Sequence, residues 1–138
     1  GVRESRRIIG DYVLTQEDVL EGRELMDAVG RCGAYVDIHD EDGGMRPTFL
    51  QEVGGAKGWY HVPYRILLPK GVEGLLTAGR CVSADHFAQG SIRQQAACMT
   101  TGHAAGAGAA LAVQGGTSPR DLDVEVLQTT LRSQAAII

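Results

Sequence analysis

Cysteine is scarce and poorly placed for cross-linking. The chain has three, Cys32, Cys81 and Cys98, and no two of them form C-x-x-C. An odd, widely spaced set fits neither a disulfide framework nor a zinc site. It predicts free thiols in a reducing compartment, and so a cytoplasmic location. Runs of Lys and Arg are missing too. Thirteen basic residues stand against seventeen acidic ones, for a net charge of -4 and a pI near 5.5. That balance argues against a nucleic-acid surface. No apolar run approaches the roughly 20 residues that span a bilayer, so no membrane helix is expected. The start, "GVRESRRIIGDY", has no apolar core of a signal peptide. It also lacks a methionine and opens inside what reads as a strand, as an excised piece of a longer chain would.

What the chain does contain suits one domain of ordinary size: 138 residues, 43% of them hydrophobic. Residues 3–14 read as an extended strand. Alternation puts Arg3 and Arg7 on one face and Glu4 and Arg6 on the other. Thr15-Gln16-Glu17-Asp18 resembles a capping box with its acid one methylene short, and predicts a short helix interrupted at Gly22 and Gly30. Ala34 to His39 alternates as a strand does. Residues 40–48 read as a turn cluster, and 51–58, "QEVGGAKG", as a glycine-rich hairpin tip or loop. Trp59 to Leu68 is extended, with Pro63 making it an edge strand or breaking it. Leu75 to Ala78 reads as a short apolar strand. The longest helix is expected over Ser91 to Gln114, stopped by "GGTSP". Asp123 should cap a last helix of about three turns, unless Ser118-Pro119 starts it a turn earlier. Short strands followed by a long Gly/Ala-rich helix and a C-terminal helix give an α+β class.

One stretch, "AGRCVSADHFAQGSIRQQ", suggests a site. Arg80 ends the apolar run, and the long helix is expected to open at Gly90-Ser91-Ile92-Arg93. The first amides of a helix have no internal acceptor and carry roughly half a positive charge. Gly90 and Ser91 put little side chain before them, so a phosphate, a carboxylate or an electron-rich carbonyl can dock there. Arg80 adds a permanent charge. Arg93 in a first turn opposes the dipole, and a bound electron-rich group would account for it. Gly102, Gly106, Ala109 and Ala110 make a small-residue ridge for close packing, expected to lie against a sheet. "GAGAA" within this helix is not a dinucleotide fingerprint, because no third glycine follows and no strand precedes it.

Taken together, these segments resemble the C-terminal third of an FAD-dependent oxidoreductase family. The motifs are G-V-R-E-S-R-R, P-Y-R, L-L-P-K-G-V, A-G-R-C, G-S-I-R and A-C-M-x-x-G-x-A-A-G, spread from Gly1 to about Gln134. Residues 40–58 carry no such likeness. The resemblance implies a two-domain, Rossmann-like flavoprotein. Residues 1–70 would be the tail of an inserted substrate domain with return strands, and 71–138 the end of the FAD-binding domain. It implies FAD as cofactor of the full-length parent, bound weakly or not at all by this chain alone, with Gly79 and Arg80 near the ribityl and pyrophosphate. The amides of Gly90, Ser91 and Ile92 would lie at the N1/C2-carbonyl edge of the flavin, with Arg93 beside them. It further implies that His86, in the loop after Arg80, and Arg65, in P-Y-R, lie on the substrate side; a surface histidine and a structural salt bridge are the alternatives. The Gly-rich turn for the ADP half is missing. The expected partners are therefore the remainder of the polypeptide, a small-molecule substrate and, through exposed surfaces, a second copy. A cofactor-free binding or oligomerisation domain stays open as a second reading, with the fragment alone inactive in either case. His39 among Asp37, Asp40, Glu41 and Asp42 reads as a solvated turn and not as a calcium loop, since Thr48 stands where a glutamate is needed. His61 reads as strand packing, and His103 as a helix contact.

Overall fold

The computed structural model describes residues 4–39, 45–50 and 57–138. It is α+β: helices with two small antiparallel sheets, in the order α1 (Gln16–Glu21), β1 (Ala28–Cys32), β2 (Val36–His39), β3 (Met45–Thr48), β4 (Tyr60–Pro63), α2 (His86–Ile92), α3 (Gln95–Gly115) and α4 (Val124–Ser133). Two 3-10 turns, Tyr64–Leu67 and Gly79–Cys81, lie between β4 and α2. β1 pairs with β4 and β2 with β3. No parallel sheet occurs among the described residues, and none of the described helices is long and apolar enough to cross a membrane.

Local signals set the element ends that were expected. Thr15 and Asp18 make the full capping box on α1, and Gly22 ends the helix in the left-handed conformation at φ 61°. Asp18 is buried. It accepts from the Tyr12 hydroxyl at 2.9 and 2.8 Å and pairs with Arg23 at 2.7 Å. β4 ends at Pro63, and the chain turns into a 3-10 segment. Gly116 closes α3 at φ 62°, and Asp123 caps α4 through the Glu125 amide at 2.9 Å. Leu127 and Leu131, four residues apart, bury the inner face of α4.

Other segments depart from the sequence reading. Residues 4–14 form no strand. They run extended and bond to turns, with isolated bridges Gly10–Pro69 and Leu14–Ala84. Glu4 and Arg7, which strand alternation separates, pair at 3.3 Å. Gly10 is required there, since a Cβ would stand 2.9 Å from the Arg65 carbonyl. β1 was not expected; Arg31 and Gly30 disguise a strand that is buried at Ala28, Val29 and Cys32. Met45–Thr48, read as part of a turn, pairs with β2. Leu75 to Ala78 is irregular, held by Thr77 N–H to the Leu67 carbonyl at 2.8 Å. The turn at 40–44 and most of the glycine-rich 51–58 lie outside the described residues, as does the His39 side chain.

The expected long helix is two. α2 takes in Gly90, Ser91 and Ile92 as its last turn, and α3 starts after Gln94. The core-facing ridge of α3 is Ala97, Thr101, Ala104, Gly108 and Ala112. Gly102, Gly106, Ala109 and Ala110, expected to pack, face outward. Gly108 is where close approach occurs: a Cβ there would stand 3.1 Å from the Tyr64 hydroxyl, which donates to the Pro119 carbonyl at 3.0 Å. Burial pushes the Tyr64 phenol up to about 12, so it stays a donor at ordinary pH.

The single tryptophan, Trp59, reports on one edge of the β1–β4 sheet. His61 stacks on it at 5.2 Å, and the Arg31 guanidinium lies 4.2 Å from its ring centre. The His61 Nδ1 lies 2.9 Å from the Leu25 amide and 3.2 Å from the Leu25 carbonyl. Burial is the main cause that holds the His61 pKa below its usual value. Arg31 and Lys57 add to it, while the Leu25 backbone and Glu24 oppose it. A depressed histidine binds fewer protons folded than unfolded. Its share of stability is therefore full above the unfolded value of about 6.5 and is lost as pH falls toward and through the folded value. Unfolding followed by Trp59 fluorescence should show stability falling from pH 7 to about 5, and His61→Phe should flatten that fall. An unchanged slope in the variant would show that His61 is not its source.

Candidate functional site

The break between α2 and α3 creates the site. Arg93 caps α2 in a right-handed helical conformation, and Gln94 then turns extended at ψ 154°. No proline or positive-φ glycine stands at the break. Tertiary contacts impose it instead. The Arg93 guanidinium is buried and donates to the Asp37 carbonyl at 2.6 Å and its carboxylate at 2.7 Å. Gly90 lies flat on β2, where a Cβ would stand 2.9 Å from Val36 and 3.1 Å from Ile38. These contacts seat α2 on β2, while α3 packs on β1. One straight helix cannot follow both sheets.

Behind this break is an open recess of about 470 Å³, lined by Arg80, Arg93, Gln95, Cys98 and Met99. Arg80 comes from the 3-10 turn, and the last three from the first two turns of α3. No side chain caps α3, and its internal ladder begins with the Cys98 amide on the Gln94 carbonyl at 2.9 Å. The amides of residues 95–97 thus have no acceptor within their own helix. With the dipole of 21 residues behind them, they make the recess electropositive. No carboxylate is among the described residues that line it. Cys98 is half-buried and donates to the Arg93 carbonyl at 3.3 Å. Burial raises its pKa, Arg80 lowers it, and Cys32 and Cys81 raise it further. The net upward shift keeps it a thiol and makes it a poor nucleophile.

The structure thus brings Arg80 and Arg93 of the expected site to one recess, with Gly79 next to Arg80 in the same turn, and places the others elsewhere. Gly90, Ser91 and Ile92 are in the core. Their amides fall in the last turn of α2, whose ladder continues to Arg93 N–H on the Gln89 carbonyl at 3.2 Å, so they do not form a helix start. The Ser91 hydroxyl donates to the Ala34 carbonyl at 2.6 Å and accepts from Tyr60 at 3.0 Å. Burial drives that phenol well above its usual pKa. His86 is not in a loop. It is the first residue of α2, exposed, with Nδ1 2.8 Å from Glu4. Arg65 grips Asp27 through Nε at 2.9 Å and a terminal nitrogen at 3.1 Å, and stacks 4.8 Å above Tyr12. Its clamp already holds a carboxylate of the same chain. Sequence reasoning missed Gln95, Cys98 and Met99, because it set the helix start at Ser91, four residues too early. A second recess of about 330 Å³ lies between β1, α3 and the C-terminal tail, near Arg31, Thr100 and Ile137.

The family model described as FAD dependent oxidoreductase matches residues 1–131. The chain belongs to that family. FAD is the cofactor of FAD-dependent oxidoreductases, and it carries an anionic pyrophosphate and an electron-rich isoalloxazine edge. The electropositive donor set around Arg80 and the start of α3 fits either group. No curated protein and no solved structure matches the chain.

The role found for Gly90 can be tested by substitution. Gly90→Val should cost about 1–3 kcal/mol or more in thermal unfolding, because Val36, Ile38 and the Asp37 carbonyl leave no room for it. A variant as stable as the parent would show that α2 does not lie on β2 in this way.

Proposed function

We propose that the chain forms the flavin side of the FAD site of an FAD-dependent oxidoreductase. The observation that carries this reading is the recess where the uncapped start of α3 meets Arg80, in a chain that matches the family over residues 1–131. When bound, FAD supplies the electron transfer itself. The chain binds and orients it. The amides of residues 95–97 stabilise negative charge on the flavin edge. Arg80 adds a planar cationic donor, and Met99 offers an apolar surface that is 74% exposed. Gly79, at φ 76° and with no described residue where its Cβ would be, lets a ligand come close to the turn. Arg93 contributes through its pairing with Asp37, which holds the end of α2 in place. Gly90, Ser91 and Ile92 act in this reading as the floor of the site and not as donors to the cofactor.

The sequence has no G-x-G-x-x-G turn for the ADP half. Other parts of the polypeptide hold that half in this reading, and the chain alone binds FAD weakly. The outward face of α3, with Met99, Gly102, Gly106, Ala109, Ala110 and Val113, carries no charge and suits packing against them. That same face favours the second reading, a cofactor-free association domain.

Titration of the purified chain with FAD, followed through backbone amide resonances, separates the two. The flavoprotein reading expects weak binding, with shifts concentrated at Arg80 and residues 95–98. Arg80→Ala should lower the affinity about tenfold at low salt, and less at high salt, where its charge is already screened. Shifts confined to another surface, or none at millimolar FAD, would overturn it in favour of the second reading.

A further inference from the structure

Two buried polar side chains converge on one short turn. Gly79–Cys81 is a 3-10 turn of three residues with no side-chain cap at Ala78. Its own closing bond, Val82 N–H to the Gly79 carbonyl, is long at 3.4 Å. Gly79 is left-handed at φ 76°, and none of the described residues packs where its Cβ would be. Left to itself, such a turn would not hold one orientation. Two helices hold it. From α3, the Thr101 hydroxyl accepts the Gly79 N–H at 2.9 Å and passes its own proton to the Cys98 carbonyl at 2.9 Å. From α2, the Gln89 amide nitrogen donates to the Arg80 carbonyl at 2.6 Å. Both side chains are fully buried, at 0% exposure. The far end of the turn is tied separately, by the Ile8 amide to the Cys81 carbonyl at 2.8 Å.

We infer that Gln89 and Thr101 are positioning residues for FAD, because they fix the backbone on both sides of the Arg80 Cα and so aim Arg80 at the recess. The inference rests on the reading that FAD occupies that recess.

Packing alone does not account for either residue. The Gln89 side-chain oxygen is buried without a hydrogen-bond partner among the described residues. A methionine would fill a similar volume without burying an unpaired acceptor. The amide is therefore explained by what its nitrogen does, which is to hold the Arg80 carbonyl. Thr101 is likewise on the inner ridge of α3, between Ala97 and Ala104, where an apolar residue would pack as well. Its hydroxyl is used twice: by donating to Cys98 it turns a lone pair toward Gly79. One end of the clamp thus belongs to α3, the helix whose first two turns line the recess. The other belongs to α2, which is seated on β2. The clamp fixes the distance between the Arg80 root and those amides, and a ligand touching both then meets a preorganised pair.

The test extends the FAD titration of the purified chain to Thr101→Val, Gln89→Met, Thr101→Ser and Arg80→Ala, and to each of the first two combined with Arg80→Ala. Thr101→Val and Gln89→Met should each weaken FAD binding about threefold to tenfold. Thr101→Ser, which keeps the hydroxyl, should restore the parent affinity. In the Arg80→Ala background neither substitution should weaken binding further, since nothing is left to aim. Before FAD is added, Thr101→Val should raise the hydrogen-exchange rate of the Gly79 amide, and Gln89→Met should shift the Arg80–Cys81 resonances. Losses that persist undiminished in the Arg80→Ala background would show a purely structural role and overturn the inference. If Arg80→Ala weakens binding while Thr101→Val and Gln89→Met do not, the inference falls and the recess reading stands. If Arg80→Ala has no effect, both fall. Because the two substitutions lie on different helices, loss of folding in one leaves the other to decide.

Discussion

Arg93 and Asp37 form the contact on which the rest of the site depends. One guanidinium nitrogen meets both the carbonyl and the carboxylate of Asp37, and the two side chains are 8% and 9% exposed. Removing one member of such a pair typically costs about 3–5 kcal/mol, since the other is left charged and buried. The pair fixes the end of α2 on β2. Gly90 allows the backbones to touch there, and Ser91 joins α2 to Ala34 and Tyr60. The helix cannot continue in the same direction and also pack on β1, so it stops and restarts. The restart exposes amides that a continuous helix would have consumed.

The surrounding structure braces that restart. Residues 4–14 contribute main-chain bonds to the Leu68, Cys81 and Ser83 carbonyls, and Arg7 reaches the Ala84 carbonyl at 2.7 Å. Asp85 caps α2 through the Ala88 amide and also accepts from Gln16 at 2.6 Å, tying α1 to the same segment. On the far side, Arg120 gathers Asp11, Glu73 and the Pro69 and Val72 carbonyls into one cluster. The segment 79–85 is thus fixed from several directions, although it contains no strand or long helix of its own.

Electrostatics and packing divide the labour at the recess. Arg93 is neutralised by Asp37 and serves architecture. Arg80 and the uncapped start of α3 bring donor groups to the recess. Cys98 lies beside them, but burial outweighs the pull of Arg80 and keeps its proton on. The arrangement favours an electron-rich group held by donors over a covalent role for the thiol. This is consistent with a protein that tunes a cofactor and leaves the redox chemistry to it.

The sequence by itself determined the features whose causes lie within a few residues of each other. The Thr15–Asp18 box, the stops at Gly22 and Gly116, the break at Pro63 and the Asp123 cap all rest on local hydrogen bonds or fixed dihedrals. The family likeness was legible for a similar reason, since motifs are contiguous. Tertiary structure decided the rest. β1 exists because β4 pairs with it, although Gly30 and Arg31 read as loop. Leu75 to Ala78 is apolar yet finds no strand partner among the described residues. The helix starts at Gln95 instead of Ser91 because Asp37, 56 residues away from Arg93, captures its guanidinium. Gly90-Ser91 reads as an open helix start from its small side chains, but those side chains are small to let α2 lie against β2. A contact between distant segments leaves no periodicity in the sequence, and the position of the recess was therefore set only when the chain folded.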